Sequence, residues 1–166
     1  MKLKAFFFLI FFSLSTFAAP QKNSEFIGYK HKGIVYGETL PNGVKDLGGG
    51  LMSDENYGVT RFQKGKRYML WLERITSRDA KGVPSWEVKD VLSFDKLRKN
   101  QEFLFSYSST CTQNGKSNLD LIVMTELSTN KTYKVLRAWK ANLKAGKFDK
   151  TSDKNIVCKY SEPEKQ

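Results

Sequence analysis

Turn-forming residues recur at short intervals along this chain, and their spacing constrains the fold more than any other feature. Between the turns lie short segments rich in aromatic and β-branched residues, a pattern typical of β-sandwiches and barrels. We therefore predict an all-β fold: one antiparallel β-sandwich or small β-barrel of about eight strands, with the choice between the two left open. The turns fall at Pro41-Asn42-Gly43, Lys64-Gly65-Lys66, 79–82, 113–116 and 128–131.

Hydrophobic alternation supports this prediction in several segments. The centres of 68–72 and 119–126 are apolar on both faces, as expected for strands in the middle of a layered or closed sheet. One face of 86–94 is apolar except for Asp90 and otherwise consists of Trp86, Val88, Leu92 and Phe94.

Other segments carry weaker signals. Residues 26–31 and 33–40 predict a first hairpin around Gly33. Residues 44–60 contain four glycines and little periodicity, which favours a long loop with a short strand near Val59. Residues 95–100 fit either one helical turn or a connection between strands.

The basic stretch 132–148, TYKVLRAWKANLKAGKF, fits two structures. As a helix it would carry an apolar stripe opposite its lysines, as membrane-surface helices do. Strand formers directly after a turn favour a strand instead, and Gly146 suits the left-handed position of a hairpin loop. We predict a strand, a tight turn and a return strand from Lys147, with Trp139 in the core.

The first 18 residues have the pattern of a secretory signal peptide. Lys2 and Lys4 precede an apolar run over 5–12, and polar and small residues lead to cleavage after Ala18. The run is shorter than the ~20 apolar residues of a membrane span. The first cysteine is Cys111, so no cysteine near the cleavage site could carry a lipid. We expect a periplasmic or extracellular domain over 19–160 and a polar tail over 161–166.

Cleavage would leave 26 of the 28 basic residues against 17 acidic ones, a net charge of +9. Such a charge favours acidic partners. If the basic turns share one face they form a polyanion surface, and if they do not they only protect strand edges. No nucleic-acid-binding motif is present. The candidate basic binding surface consists of Lys64, Lys66, Arg67, Lys96, Arg98, Lys99, Lys140, Lys144 and Lys147.

Cys111 and Cys158 are the two cysteines of the chain. In an exported protein they predict a disulfide, which would stabilise the fold by roughly 3 to 4 kcal/mol in the chain-entropy model; two free thiols are the alternative. Together with the single histidine, His31, they match no zinc spacing, so no metal or cofactor is expected.

Catalytic motifs are weak. Residues 93–96 and 128–131 match the S-x-x-K pattern, but its companion motifs are missing. Gly48-Gly49-Gly50 lacks the lysine and spacing of a phosphate-binding loop. His31 stands between two lysines without a visible carboxylate partner, and we assign it an ordinary structural role. No catalytic residue is predicted, and the balance favours a protein that is not an enzyme.

Asp90 and Arg137 are charged residues on predicted strand faces that are otherwise apolar. A buried aspartate needs a partner or a raised pKa, and we predict a buried polar pair between these two residues. The alternative is a catalytic carboxylate in a cavity, since glycoside hydrolysis needs only two acids.

Three functions remain open. The first is an exported binding protein for a protein or peptide partner in the cell envelope, of the inhibitor or immunity type. The second is a module that binds an acidic envelope polymer such as lipopolysaccharide or acidic glycan. The third is a barrel for a small ligand, or a hydrolase that uses two carboxylates.

Overall fold

The computed structural model describes residues 21–22, 24–33, 37–40, 42–105, 111–130 and 132–159. The predicted signal peptide (1–18) and polar tail (161–166) lie outside these residues and stay predictions. The described residues form strands, turns and one 3-10 turn at Ser24–Phe26, without an α-helix. The strands are β1 (Gln21–Lys22), β2 (Lys30–Lys32), β3 (Lys45–Leu51), β4 (Tyr57–Lys64), β5 (Arg67–Arg78), β6 (Pro84–Phe94), β7 (Gln101–Leu104), β8 (Cys111–Gln113), β9 (Lys116–Ser117), β10 (Leu121–Leu127), β11 (Tyr133–Asn142), β12 (Lys147–Thr151) and β13 (Ile156–Cys158).

These strands form three sheets, and the pairings between them are antiparallel. Sheet A has the order β1-β6-β5-β4-β3, and β2 also pairs with β6. Sheet B has the order β12-β11-β10-β7, and the small sheet C has the order β13-β8-β9. The curled sheets form a half-barrel, which lies between the sandwich and the closed barrel.

The all-β prediction is confirmed. Eight of the described strands have four or more residues, and all eight lie in sheets A and B. The others are two or three residues long, too short to stand out as hydrophobic patterns in the sequence.

The molecule has three apolar layers, and sheet A lies between two of them. The central core fills the space between sheets A and B, and the outer cluster covers the other face of sheet A. Strand β5 serves both layers, because Leu70 and Leu72 enter the central core while Met69 and Trp71 enter the outer cluster. This confirms a strand buried on both sides. Trp139 also lies in the central core, as predicted.

The third layer lies between sheets B and C and contains the disulfide. Cys111 and Cys158 are directly opposite in the β8–β13 pair, with their Cα atoms 4.0 Å apart. Leu121, Val123 and Ala138 pack against them from sheet B. The predicted bridge is confirmed, and it ties sheet C to the main body.

The hairpin prediction for 132–148 is also confirmed. Strand β11 pairs with β12 from Ala138 to Asn142, and Gly146 has a φ of 60° in the turn between them. That left-handed conformation costs glycine little, which explains why the turn forms there.

The predicted hairpin of 26–31 with 33–40 is not formed by the residues that the structure describes, and 34–36 of its second arm lie outside them. Strand β2 pairs with residues 85–87 of β6, and Thr39 bridges to Lys45 instead. Local spacing suggested the hairpin, but pairing with β6 brings the side chain of His31 to Glu73, 42 residues away in the chain.

The predicted long loop over 44–60 is wrong, but the short strand predicted near Val59 is confirmed, because Val59 lies in β4. Strands β3 and β4 occupy most of it and pair with each other, with an irregularity between Asp46 and Gly49. The glycines have no side chains to show alternation, so hydrophobic periodicity does not reveal β3 as a strand.

Residues 95–100 connect β6 to β7 without a helical turn. Of the two structures predicted for this segment, the connection between strands is therefore the one that forms.

Candidate functional site

A cleft of about 350 Å³ opens on the outer face of sheet A. Its floor is formed by β4 and β5, one wall by β2 and β6, and the other by the glycine-rich strand β3. Each wall comes from a different part of the chain. The lining residues are His31, Gly33, Asp46, Gly48, Gly49, Gly50, Leu51, Gly58, Thr60, Phe62, Glu73 and Trp86.

The imidazole of His31 forms two hydrogen bonds inside this cleft. Its Nε2 lies 2.6 Å from Oε1 of Glu73, and its Nδ1 lies 2.8 Å from the main-chain oxygen of Lys32. A main-chain oxygen only accepts, so Nδ1 carries a hydrogen in this contact. With Glu73 ionised, Nε2 also donates, and His31 is then an imidazolium ion paired with a carboxylate.

Glu73 is 2% exposed, although it carries a carboxyl group. Its second oxygen accepts a hydrogen bond of 2.7 Å from the hydroxyl of Thr60. A buried carboxylate is tolerated when it is paired and hydrogen-bonded, and both oxygens of Glu73 have partners. The three side chains therefore form one network across β2, β4 and β5.

Burial alone would lower the pKa of His31. The hydrogen bond and the negative charge of Glu73 outweigh that effect, and the pKa lies above its ordinary value of 6.5. The hydrogen bond to Lys32 and the charge of Asp46 act in the same direction. The folded protein therefore favours the protonated form of His31.

Asp46 is a second buried acid at the cleft and is 5% exposed. One of its carboxylate oxygens accepts a hydrogen bond from the main-chain N–H of Gly48. Burial raises the pKa of Asp46, while that hydrogen bond and the charges of His31 and Arg61 partly oppose the shift. The cleft thus contains two carboxyl groups, of Glu73 and Asp46, and one imidazolium group, of His31.

Two glycines bring the walls close to the floor. A Cβ on Gly49 would lie 2.6 Å from the main-chain oxygen of Val59, so only glycine allows β3 this close to β4 at the irregularity. A Cβ on Gly58 would lie 3.3 Å from the ring of Trp86, which rests on the bare backbone there. Aromatic surface and exposed main chain therefore both face the cleft.

The hydrogen bonds of the network occupy its polar groups. Both ring nitrogens of His31 have partners in this arrangement. The hydroxyl of Thr60 donates to Glu73 and not to His31. Among the described residues, no group of three metal-ligating side chains is placed to hold a metal ion.

One of the three predicted basic clusters lines a surface depression. Lys64, Lys66 and Arg67 line this open depression of about 540 Å³ together with Glu25 and Asp95, and Lys96 follows Asp95 in the chain. Glu25 lies 3.0 Å from Nζ of Lys64 and 3.8 Å from Arg67, which neutralises part of this charge. Further along the connection, Arg98 lies 4.0 Å from Glu126.

The third basic cluster lies elsewhere. The β11–β12 turn packs on Lys89, since a Cβ on Gly146 would lie 3.5 Å from that side chain. Lys89 is five residues before the end of β6, or roughly 17 Å along the strand from the first depression. Lys147 pairs with Asp149 at 3.1 Å, and Lys140 lies opposite Asp149 in the ladder, while Lys144 is exposed in the turn.

Asp90 and Arg137 occupy different parts of the sheets. Asp90 is 4% exposed on β6, and its Oδ2 accepts a hydrogen bond from the main-chain N–H of Phe148. Arg137 lies opposite Met124 in sheet B, four residues along β11 from Ala141, the ladder partner of Phe148. Neither residue lines the cleft around His31 or the depression around Lys64. A direct contact between the two side chains stays a prediction.

Local sequence pattern does not identify Glu73, Asp46 or Thr60 as site residues, and it shows no carboxylate partner for His31. One signal was available for Glu73, because it continues the Met69–Trp71 face of a strand that is otherwise apolar. Nothing local linked it to His31, which lies 42 residues away in the chain.

No protein-family model matches this chain, and neither a curated protein nor a solved structure matches it significantly. Within the ranges that the structure describes, no helix is both long and apolar enough to cross a membrane.

Proposed function

We propose that this chain is an exported, non-enzymatic binding protein that recognises a protein or peptide partner in the cell envelope. Inhibitors and immunity-type modules are examples of the class. The observation that carries the proposal is the cleft around His31, which presents aromatic side chains and bare glycine main chain to a partner. The disulfide supports the exported part, because such bonds persist in oxidising compartments.

The lining of the cleft suggests what the partner contributes. Two buried acids face one imidazolium, so a basic side chain of the partner would be attracted to it. Trp86 and Phe62 offer aromatic surface of the kind enriched at interface hot spots. The bare main chain of Gly48-Gly49-Gly50 allows close approach by another backbone.

The test combines partner capture with a cleft variant. The mature protein, starting at residue 19, is immobilised and exposed to envelope extracts, and retained proteins are identified by mass spectrometry. Affinity is then measured for wild type, Trp86→Ala and a control variant, Val157→Ala, which removes an exposed side chain on the distant strand β13. We expect Trp86→Ala to weaken binding about tenfold or more and the control to bind as wild type.

Two results would contradict the proposal. If the extracts yield no specific protein, the proposal of a protein partner is contradicted. If a partner binds Trp86→Ala as tightly as wild type, the proposal that it binds at the cleft is contradicted. Export is tested separately by fractionating cells that produce the full chain, where we expect a mature N-terminus at Ala19. A product retained in the cytoplasm with its first 18 residues would contradict export.

A second candidate function is binding of an acidic envelope polymer. It is favoured by the basic cluster Lys64, Lys66 and Arg67, whose three side chains line one open depression. Such binding should weaken steeply with added salt. Binding to lipopolysaccharide measured at two salt concentrations checks this, with the double variant Lys64→Gln/Lys66→Gln against Lys154→Gln. Salt-insensitive or absent binding would reject it.

A further inference from the structure

We propose that the His31–Glu73 pair is a pH-sensitive latch that holds β2 against sheet A and thereby sets the width of the cleft. The inference rests on the proposed function, because it concerns regulation of the same cleft. It assigns the one histidine of the chain a conformational role.

Among the described strands β2 pairs only with β6, and main-chain hydrogen bonds flank His31 between Gly28 and Val88 and between Gly33 and Pro84. It is three residues long and pairs with residues 85–87 at one end of β6. Its two lysines, Lys30 and Lys32, are exposed, so His31 supplies the side chain that reaches inward. The side chains of His31 and Glu73 are only 6% and 3% exposed. The ring of His31 also packs near Tyr29, Phe62 and Trp71, with centroids 6.0 to 6.3 Å away.

Loss of one proton makes one of the two imidazole contacts repulsive. If the hydrogen stays on Nδ1, the lone pair of Nε2 faces the Glu73 carboxylate across 2.6 Å. If it stays on Nε2, the lone pair of Nδ1 faces the main-chain oxygen of Lys32 across 2.8 Å. Neither tautomer of neutral imidazole satisfies both acceptors, because it carries a single N–H. The latch therefore holds only while His31 is protonated.

The surrounding groups decide the direction of the switch. Glu73 faces His31 from β5, and Asp46 acts on it from β3; both acids favour the imidazolium. Strand β4 contributes the uncharged Thr60 and Phe62, and the phenol of Tyr29 stacks on the ring. On β6, Trp86 lies opposite His31, and the neighbouring Glu87 is paired with Lys89 at 2.8 Å. The cationic side chains next to His31, Lys30 and Lys32, point to solvent.

The sign follows from the raised pKa of His31. A proton held more tightly by the folded state stabilises the latch fully below the unfolded pKa of 6.5. That stabilisation is lost as the pH rises through the higher pKa of the folded state. The latch is thus closed in mildly acidic solution and released in alkaline solution.

Release would move one wall of the cleft. His31 and Gly33 form that wall, and the N–H of Gly33 donates to the main-chain oxygen of Pro84 at 2.8 Å. When β2 separates from β6, this hydrogen bond opens with it. The opposite wall, β3, belongs to the continuous β3–β4–β5 part of the sheet and stays in place.

The experiment uses the free mature protein and needs no partner. Amide hydrogen exchange is followed by NMR from pH 6 to pH 9, corrected for intrinsic exchange, while the ring signals of His31 give its pKa. We expect protection of the Gly33 amide to fall by up to about tenfold per pH unit between pH 6.5 and that pKa, and to level off above it. Protection of Leu70, in the middle of β5, should not change.

The variant His31→Gln keeps a hydrogen-bonding side chain that cannot titrate, so its Gly33 protection should be independent of pH. Glu73→Gln should lower the pKa of His31, and Lys32→Gln should behave as wild type. The proposal is overturned if Gly33 in wild type tracks Leu70 across the titration of His31, a result that requires no variant to fold. Because no partner is present, this outcome is separate from failure of the capture experiment.

Discussion

Asp90 of β6 accepts a hydrogen bond of 2.9 Å from the main-chain N–H of Phe148 in β12, and this contact crosses from sheet A to sheet B. Phe148 itself packs in the central core between the two sheets. Asp90, a polar residue on an otherwise apolar strand face, therefore links the two sheets by accepting a hydrogen bond from a main-chain N–H at the edge of sheet B.

Replacing Asp90 should weaken this contact between sheets A and B. Asp90→Ala leaves a buried N–H without its acceptor and should reduce the free energy of unfolding by about 1 to 3 kcal/mol, and Asp90→Asn, which keeps an oxygen, by less. Urea denaturation at pH 7 measures both, with the exposed Asp95→Asn as the control. An Asp90→Ala protein that unfolds at the wild-type midpoint would show that the contact carries no stability.

Reduction of the disulfide should destabilise the protein by roughly 3 to 4 kcal/mol, because the open chain gains entropy when it unfolds. Since the bridge pairs β8 with β13, hydrogen exchange should increase there more than in β5. Denaturation of the double variant Cys111→Ala/Cys158→Ala measures the loss without a reductant. Equal stability with and without the bridge would contradict the expectation.

Gly49→Ala should destabilise the β3–β4 pair. The new methyl would lie 2.6 Å from both the main-chain oxygen of Val59 and the hydroxyl of Thr60, so the backbone must shift. Such overpacking costs about 1 to 3 kcal/mol. Gly33→Ala is the matched control, since its methyl would meet Pro84 at an ordinary 3.5 Å. Thermal melts that rank the two variants equally would refute this account of the glycine.

Asp46→Asn should raise stability more at pH 7 than at pH 3. Burial raises the pKa of Asp46, so the folded state holds this proton more tightly than the unfolded state. The associated stability is present below the unfolded pKa of 3.8 and is lost as the pH rises through the folded pKa. Asparagine keeps an acceptor for Gly48 without the charge. Denaturation at both pH values, with the exposed Asp153→Asn as control, checks the difference; a variant that gains nothing at pH 7 would oppose it.

Local sequence pattern was sufficient to predict elements in which the alternation of polar and apolar side chains follows their exposure. The doubly buried β5, the β11–β12 hairpin and its Gly146 turn all follow from residues close together in the chain. The disulfide followed because only two cysteines exist. Strand β3 could not be predicted in this way, since its three consecutive glycines carry no alternation and its pairing depends on close approach to β4.

The site was out of reach for a related reason. His31, Asp46, Thr60 and Glu73 stand on four strands, and each looks unremarkable beside its neighbours in the chain. Only the register of β2 on β6 brings His31 to Glu73, across 42 residues. The basic clusters illustrate the same limit, because Lys64 is paired with Glu25, which lies 39 residues away in the chain.

The class of fold, most long strands and the disulfide could be predicted from the chain, because turn chemistry, two-residue alternation and a cysteine count are local or exhaustive properties. The half-barrel, the pairing of β2 and the buried ionic network in the glycine-lined cleft could not be predicted in this way. Those features depend on contacts between distant segments, where burial turns an ordinary histidine and an ordinary glutamate into a coupled pair.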